Sequence, residues 1–324
     1  RDDVESRGLG DVYKRQLCTG AHLGCRLWFA SGVPSPEQAP TPEAKHLAEQ
    51  AQLQADRNRA YYAKNRALHR SVVLRLTEQI RNCILVHQQP NARIARSGAL
   101  DPERVWRAPL LNDSRVFRCA EEENQPSFTV DLLLDASASR LHCQEVIAAQ
   151  GTILAQSLAA CGIPVRVSSF CSLRGYTVLR VLKGFADKSL QGIDQYFASG
   201  WNRDGLALRA AGDLVSFDPG PAPRHLLILL TDASPNDSRR VPPSPEQPLG
   251  CDYGGSYGVD DAAAEVRTLR RKGLRVSAVF MGEDSSSHDA ERIYGKNLAR
   301  IRGMDQLARA AGRLIQNEIR ELGD

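Results

Sequence analysis

The sequence predicts an α/β fold, a doubly wound and mostly parallel sheet flanked by helices, preceded by an N-terminal helical extension. Three observations predict it. After Pro126, short apolar runs alternate with longer stretches of helical periodicity, the pattern of strand–helix–strand units. The runs are strand-sized: the longest clean one, Leu226 to Leu230, falls far short of the roughly 20 residues a helix needs to cross a bilayer, so a soluble chain with no membrane span is expected. Finally, residues 126–324 are long enough for one domain of this type.

Residues 1–16 carry no periodicity, and the string DVYKRQ (11–16) resembles translated sequencing adapter; they are read as non-native, with the true chain beginning further upstream. Residues 17–41 are read as a linker, because the stretch SGVPSPEQAPTPE (31–43) holds four prolines and almost nothing to bury. A helix is predicted from Pro42 to about Arg66: Thr41 suits the N-cap, Pro42 the first turn, and Glu43 and Glu49 the positive end of the helix dipole. In the next segment Val72, Val73, Leu76, Ile80, Cys83 and Ile84 recur at spacings of three and four, which buries one face and leaves Arg70, Arg75 and Arg81 nearer solvent. Residues 42–125 are therefore expected to form a basic helical extension, a stalk or docking element, broken near Asp101-Pro102. Strands are predicted at 128–134, 164–170, 177–182, 225–231 and 274–280, and helices at 141–161, 204–215, 259–272, 289–300 and 304–322.

Charge and cysteine content narrow the function classes. The chain has 42 Lys+Arg against 38 Asp+Glu, a net charge of +4. The excess is local: from Arg57 to Arg107 eleven bases meet three acids, whereas from Phe128 onward 23 bases meet 23 acids. The basic stretch lacks the aromatic interleaving of single-strand binders, so nucleic acid is not expected and a solvated helix face is. Eight cysteines without a C-x-x-C pair point to reduced thiols in a cytoplasmic protein rather than a disulfide scaffold or a zinc site.

The chemistry concentrates where strands end. The run at 130–134 leads into Asp135-Ala-Ser137-Ala-Ser139, and ligands of open α/β sheets collect at the carboxyl ends of strands, so a carboxylate and two hydroxyls there suit a hard cation. A second run ends in Thr231-Asp232, and Asn202-Arg203-Asp204-Gly205 precedes a helix, so its polar side chains complete a shell. Asp237 reads as an outer partner of the site or as a turn residue, Arg140 as a contact for a phosphate or an acidic partner or as a surface residue, and His142 as a solvent-facing or core-edge residue rather than a ligand. Ser137 and Ser139 have no evident histidine base, no G-x-S-x-G elbow is present, and there is no G-x-x-x-x-G-K-[ST] ATPase loop. A phosphohydrolase with Asp135 as nucleophile remains a lesser reading, because such enzymes carry a second Asp where this chain has Ser137.

These motifs resemble the metal-ion-dependent adhesion site of a von Willebrand factor A (VWA) domain. The resemblance implies Mg²⁺ or Mn²⁺ held by Asp135, Ser137, Ser139 and Asp232, partly through water, with one open position for an acidic residue of a partner. The family's loop threonine is Asn202 here, with Asp204 close by, so either supplies that ligand; the glycine that usually follows the last Asp is Ala233. Within the superfamily, Leu100-Asp-Pro-Glu-Arg104, Leu230-Thr-Asp-Ala-Ser-Pro-Asn-Asp237, Tyr257-Gly-Val-Asp-Asp261 and Ile293-Tyr-Gly295 are similar to bacterial nitric oxide reductase activation proteins (NorD type), and the Asn-x-Asp-Gly loop to cobaltochelatase subunits (CobT type). Both types imply a non-catalytic accessory subunit that works with a MoxR-like or chelatase-type AAA+ ATPase on a metalloenzyme client; the CobT type implies membership of a cobalt or magnesium chelatase complex.

Overall fold

The computed structural model describes residues 16–32, 36–87, 92–120, 128–243 and 247–323. The reading of residues 1–16 as non-native falls almost wholly outside the described residues. Strands are β1 (Arg26–Ser31), β2 (Ala92–Ala95), β3 (Ala99–Leu100), β4 (Phe117–Ala120), β5 (Thr129–Asp135), β6 (Val165–Leu173), β7 (Tyr176–Lys183), β8 (His225–Thr231), β9 (Asn236–Val241), β10 (Cys251–Gly254), β11 (Arg275–Phe280) and β12 (Leu298–Arg300). Helices are α1 (Pro42–Lys64), α2 (Arg66–His87), α3 (Arg107–Leu111), α4 (Gln144–Ala160), α5 (Asp204–Phe217), α6 (Gly255–Arg271), α7 (Ser287–Tyr294) and α8 (Met304–Gly323).

The main sheet has seven strands in the order β1-β7-β6-β5-β8-β11-β12, all pairs parallel except β6 with β7. Side chains alternate across a strand, and both faces of this sheet are covered, so its central strands are apolar throughout. Val130, Leu132 and Leu134 of β5 and Leu226, Ile228 and Leu230 of β8 pack on one core with α2, α4 and α8. Leu133, Leu227 and Leu229 point into the opposite core with α5, α6 and α7. Each such fully buried side chain is worth roughly 1.5–3 kcal/mol. This is the predicted doubly wound architecture, and β5 sits at its centre with β6 on one side and β8 on the other.

Four sequence expectations need correction. Residues 17–41 are not all linker: Arg26–Ser31 forms the edge strand β1, parallel to β7, and Leu27 is buried. Residues 42–125 are not a detached helical stalk, because Val72, Leu76 and Ile80 of α2 join the same core as Leu307, Ala311 and Ile315 of α8. Beyond α2 that stretch holds a three-stranded antiparallel sheet, β2-β4-β3. The helix expected over 289–300 stops at Tyr294, where Gly295 takes a positive φ of 65° and the chain turns into β12. The basic face behaves as expected: Arg70, Arg75 and Arg81 are exposed. Cys18, Cys25 and Cys83 are buried free thiols, and Cys143, Cys161, Cys171 and Cys251 are also unpaired.

Candidate metal centre

β5 and β8 run parallel in register, Leu134 opposite Leu230, so their ends deliver Asp135 and Asp232 to the same edge of the sheet. A run of backbone hydrogen bonds then brings in the third segment: Ser199 N donates to Ala136 O (2.7 Å), and Ala138 N to Gly200 O (2.9 Å). The isolated bridge Asn202–Asn236 fixes that loop against the start of β9. Tyr196 anchors it from below by donating its hydroxyl to the carbonyl of Asp135 at 2.5 Å. Tyr196 is in turn held by α1, where Asn58 Nδ2 donates to its carbonyl (2.9 Å). The N-terminal helix thus supports the site through one buried ring.

All six residues expected at the site lie together. Asp135 is fully buried; its Oδ1 accepts from Ser137 N (3.0 Å) and its Oδ2 from Thr231 Oγ1 (3.3 Å). Ser137 Oγ lies 2.9 Å from Ser139 Oγ, which donates to Asp232 Oδ2 at 2.7 Å. Asn202 Nδ2 donates to Asp204 Oδ1 (3.1 Å) and to Ser234 O (3.1 Å). Asp204 opens α5, where the helix dipole favours a carboxylate. Its Oδ2 is buried and has no hydrogen-bond partner among the described residues.

The electrostatics follow from the crowding. Burial, and then the neighbouring Asp232, push the carboxyl of Asp135 up to about 7. Asp204 is pushed well above the usual carboxylate range by burial and by Asp135 and Asp232. The same three carboxylates, after burial, raise the phenol of Tyr294, whose hydroxyl is buried without a partner. A cation relieves all of these at once, and the donors are carboxylate and hydroxyl oxygens, the chemistry that Mg²⁺ and Mn²⁺ prefer. The orphaned oxygen of Asp204 and this donor set fit a hard divalent ion.

Some residues took roles that the sequence did not reveal. Arg140 is not on the surface: its buried guanidinium pairs with Asp232. Asp237 is buried in an ion pair with Arg203 (2.8 Å), which stacks over Tyr253 at 4.1 Å, so it belongs to the scaffold behind the site. Thr231 was legible as half of the Thr-Asp pair and Tyr294 lay within the Ile293-Tyr-Gly295 motif without a role, whereas Tyr196 has no local sequence signal. Among the described residues, His22, Asp261 and Glu265 are the three whose ligand atoms converge within 4.8 Å. That group already has its cations: Arg209 pairs with Glu265 (2.5 Å), and Arg203 Nε donates to His22 Nδ1 (3.1 Å).

Ala233 stands in a left-handed conformation, φ 53°, at the turn out of β8. This costs an L-residue roughly 1–2 kcal/mol, while the buried methyl returns about 0.8 kcal/mol. Ala233→Gly is therefore expected to stabilise by about 0.2–1.2 kcal/mol, whereas Ala210→Gly inside α5 is expected to cost about 1–2 kcal/mol. Urea denaturation of the two variants checks this; equal losses would contradict it.

A doubly wound α/β sheet thus gathers these oxygens at the ends of two of its central strands. In sequence the chain is distantly similar to Protein NorD of Brucella suis biovar 1, 27% identical over 141 residues, which is 42% of this chain and 20% of that protein. Protein NorD of Brucella abortus is 26% identical over the same length. The match spans about one fifth of these relatives. No family model matches. Among solved structures, the vWF domain of the type V pili tip protein Mfa5 from Porphyromonas gingivalis aligns with a TM-score of 0.43 at 11% identity, covering 60% of this chain and 96% of that one. Proximal thread matrix protein 1 from the mussel byssus, with a zinc-occupied MIDAS motif, aligns at 0.42 and 16% identity, covering 59% and 46%. Among the described residues, no helix is long and apolar enough to cross a membrane.

Proposed function

We propose that this chain is a non-catalytic, metal-dependent docking module. A divalent cation, Mg²⁺ or Mn²⁺, is held at the cluster of Asp135, Ser137, Ser139, Asn202, Asp204 and Asp232, and when bound it offers an open coordination position to a carboxylate of a partner protein. The chain's own residues orient the site: Thr231 and the Ser137 amide fix Asp135, Asn202 turns Asp204 inward, and Tyr196 ties the 196–204 loop to β5. The observation that carries this reading is the buried, unpartnered carboxylate oxygen of Asp204 beside two further buried carboxylates.

The partner on this reading is a MoxR-like or chelatase-type AAA+ ATPase or its metalloenzyme client, and the compartment is the cytoplasm. The similarity to Protein NorD favours a client of the nitric oxide reductase type. The Asn202-x-Asp204-Gly205 loop favours the second reading, a CobT-like subunit of a chelatase complex.

The full chain, immobilised with Mg²⁺ or with EDTA, is the bait that tests this in a lysate of a denitrifying bacterium, with retained proteins identified by mass spectrometry. An AAA+ ATPase held with Mg²⁺, and lost both with EDTA and in Asp135→Ala, is the expected result. An ATPase retained equally in all three conditions would sink the metal-bridged mechanism. Co-retention of a chelatase catalytic subunit in place of a reductase would decide for the second reading.

A further inference from the structure

Arg140 follows directly on the D-x-S-x-S run, yet its side chain is only 7% exposed. Its three hydrogen bonds all end in or beside the site: Nη2 on Asp232 Oδ2, Nε on Ser139 Oγ (3.3 Å) and Nη1 on the carbonyl of Met281 (3.2 Å), just past the end of β11. Asp232 therefore accepts three hydrogen bonds. Its Oδ2 takes Arg140 and Ser139, and its Oδ1 takes the amide of Ser234 at 3.3 Å. Asp204, on the other side of the cluster, keeps a buried oxygen with nothing bound to it. The site has a neutralised half and an open half.

A buried guanidinium on a buried carboxylate is hard to displace, because either group left alone in a water-poor site is strongly destabilised. A divalent ion held among these carboxylates lies beside that fixed positive charge, and at the low effective dielectric of a buried site the two repel.

We propose that Arg140 is a resident counter-cation: it neutralises Asp232, biases the divalent ion towards the Asp135–Ser137–Asp204 half, and sets how weakly that ion binds. The inference rests on the metal reading above and adds which half of the cluster is used and what limits affinity. The arginine makes the site a weak, readily exchanging one by design of its charge. A cation that neighbours a fixed positive group is released more easily than one held by three free carboxylates.

The test is titration of the full chain with MnCl₂, read by isothermal calorimetry and by the electron paramagnetic resonance of free Mn²⁺. Arg140→Gln is expected to bind Mn²⁺ at least about tenfold more tightly than the wild type, and Arg140→Lys, which keeps the charge, within about threefold of it. The double variant Arg140→Gln/Asp232→Asn removes both charges of the pair and guards against misfolding of the single one; it is expected to bind more weakly than Arg140→Gln, because the carboxylate that the arginine neutralised is gone as well. A folded Arg140→Gln with unchanged or weaker affinity, or a double variant that binds as tightly as Arg140→Gln, would overturn the inference while wild-type binding left the metal reading standing. Uptake by Arg140→Gln but not by the wild type supports it. Absence of uptake by every folded variant and by the wild type would overturn the metal reading and this inference with it.

Discussion

Metal-free protein is expected to lose stability as pH rises from about 4 towards 7 and to regain it when Mg²⁺ or Mn²⁺ is added, and Asp204→Asn is expected to abolish the regain. The sign follows from proton counts. Asp135 titrates at about 7 in the folded chain and near 3.9 when unfolded, and Asp204 is raised in the same sense. Between those values the folded state holds more protons than the unfolded one, so the free energy of unfolding falls with increasing pH. Asp131, pushed up to about 6 by burial despite its pair with Arg166, adds to the same slope. Asp135→Asn therefore flattens the slope without removing it.

A metal ion reverses the trend because it binds the deprotonated site, so its affinity rises across the same window. At a concentration of 100 times Kd it stabilises the fold by about 2.7 kcal/mol. Asp204→Asn removes a buried carboxyl whose ionisation the fold disfavours and is expected to be more stable than the wild type at pH 7.5 in EDTA, yet to show no gain in Tm with 5 mM MgCl₂. Thermal melts at pH 5 and 7.5, with and without metal, read all of these effects. A wild-type Tm indifferent to metal at both pH values, or a metal response retained by Asp204→Asn, would contradict the assignment of Asp204.

A chain cut to residues 126–324 is expected not to fold cooperatively, although the sequence reads that stretch as a domain. Without α2, the apolar face of α8 and the outer face of α4 lose their cover. Leu76 and Ile80, both fully buried, sit in that seam. The point substitutions Leu76→Ala and Ile80→Ala are each expected to cost about 2–5 kcal/mol, the transfer free energy of the lost atoms plus the cavity they leave. Urea denaturation of the full chain and its variants measures this. A cooperative transition for 126–324, or losses below ~1 kcal/mol for Leu76→Ala, would show α2 to be the detachable extension that its charge pattern suggests.

Much of this was legible residue by residue. His225–Thr231 is a strand with the bounds that its apolar run predicts, and α5 begins at Asp204 as read. The site was legible because its residues sit at strand and helix ends, where a short motif and its place in the fold go together. Asp135, Ser137 and Ser139 share one loop, and adjacent parallel strands bring Asp232 beside them. Asn202 and Asp204 could not be told apart in sequence, since both carry an oxygen. In the structure Asn202 donates its amide nitrogen to Asp204 Oδ1, and the other carboxylate oxygen of Asp204 is buried with no hydrogen-bond partner among the described residues.

The sequence by itself determined the α/β class, the central strands and the oxygen-bearing residues at their ends, because apolar runs, helical spacing and strand-end polar motifs are local patterns. Only the tertiary structure decided that Arg26–Ser31 is an edge strand, that α2 belongs to the core, that Arg140 turns inward onto Asp232 and that Tyr196 pins the loop. β1 finds its partner in Tyr176–Lys183, Leu76 finds its own in α8, and Arg140 meets a carboxylate 92 positions away. Contacts between residues so far apart leave no periodic trace in either partner, and burial of a charge depends on what the rest of the chain brings to it.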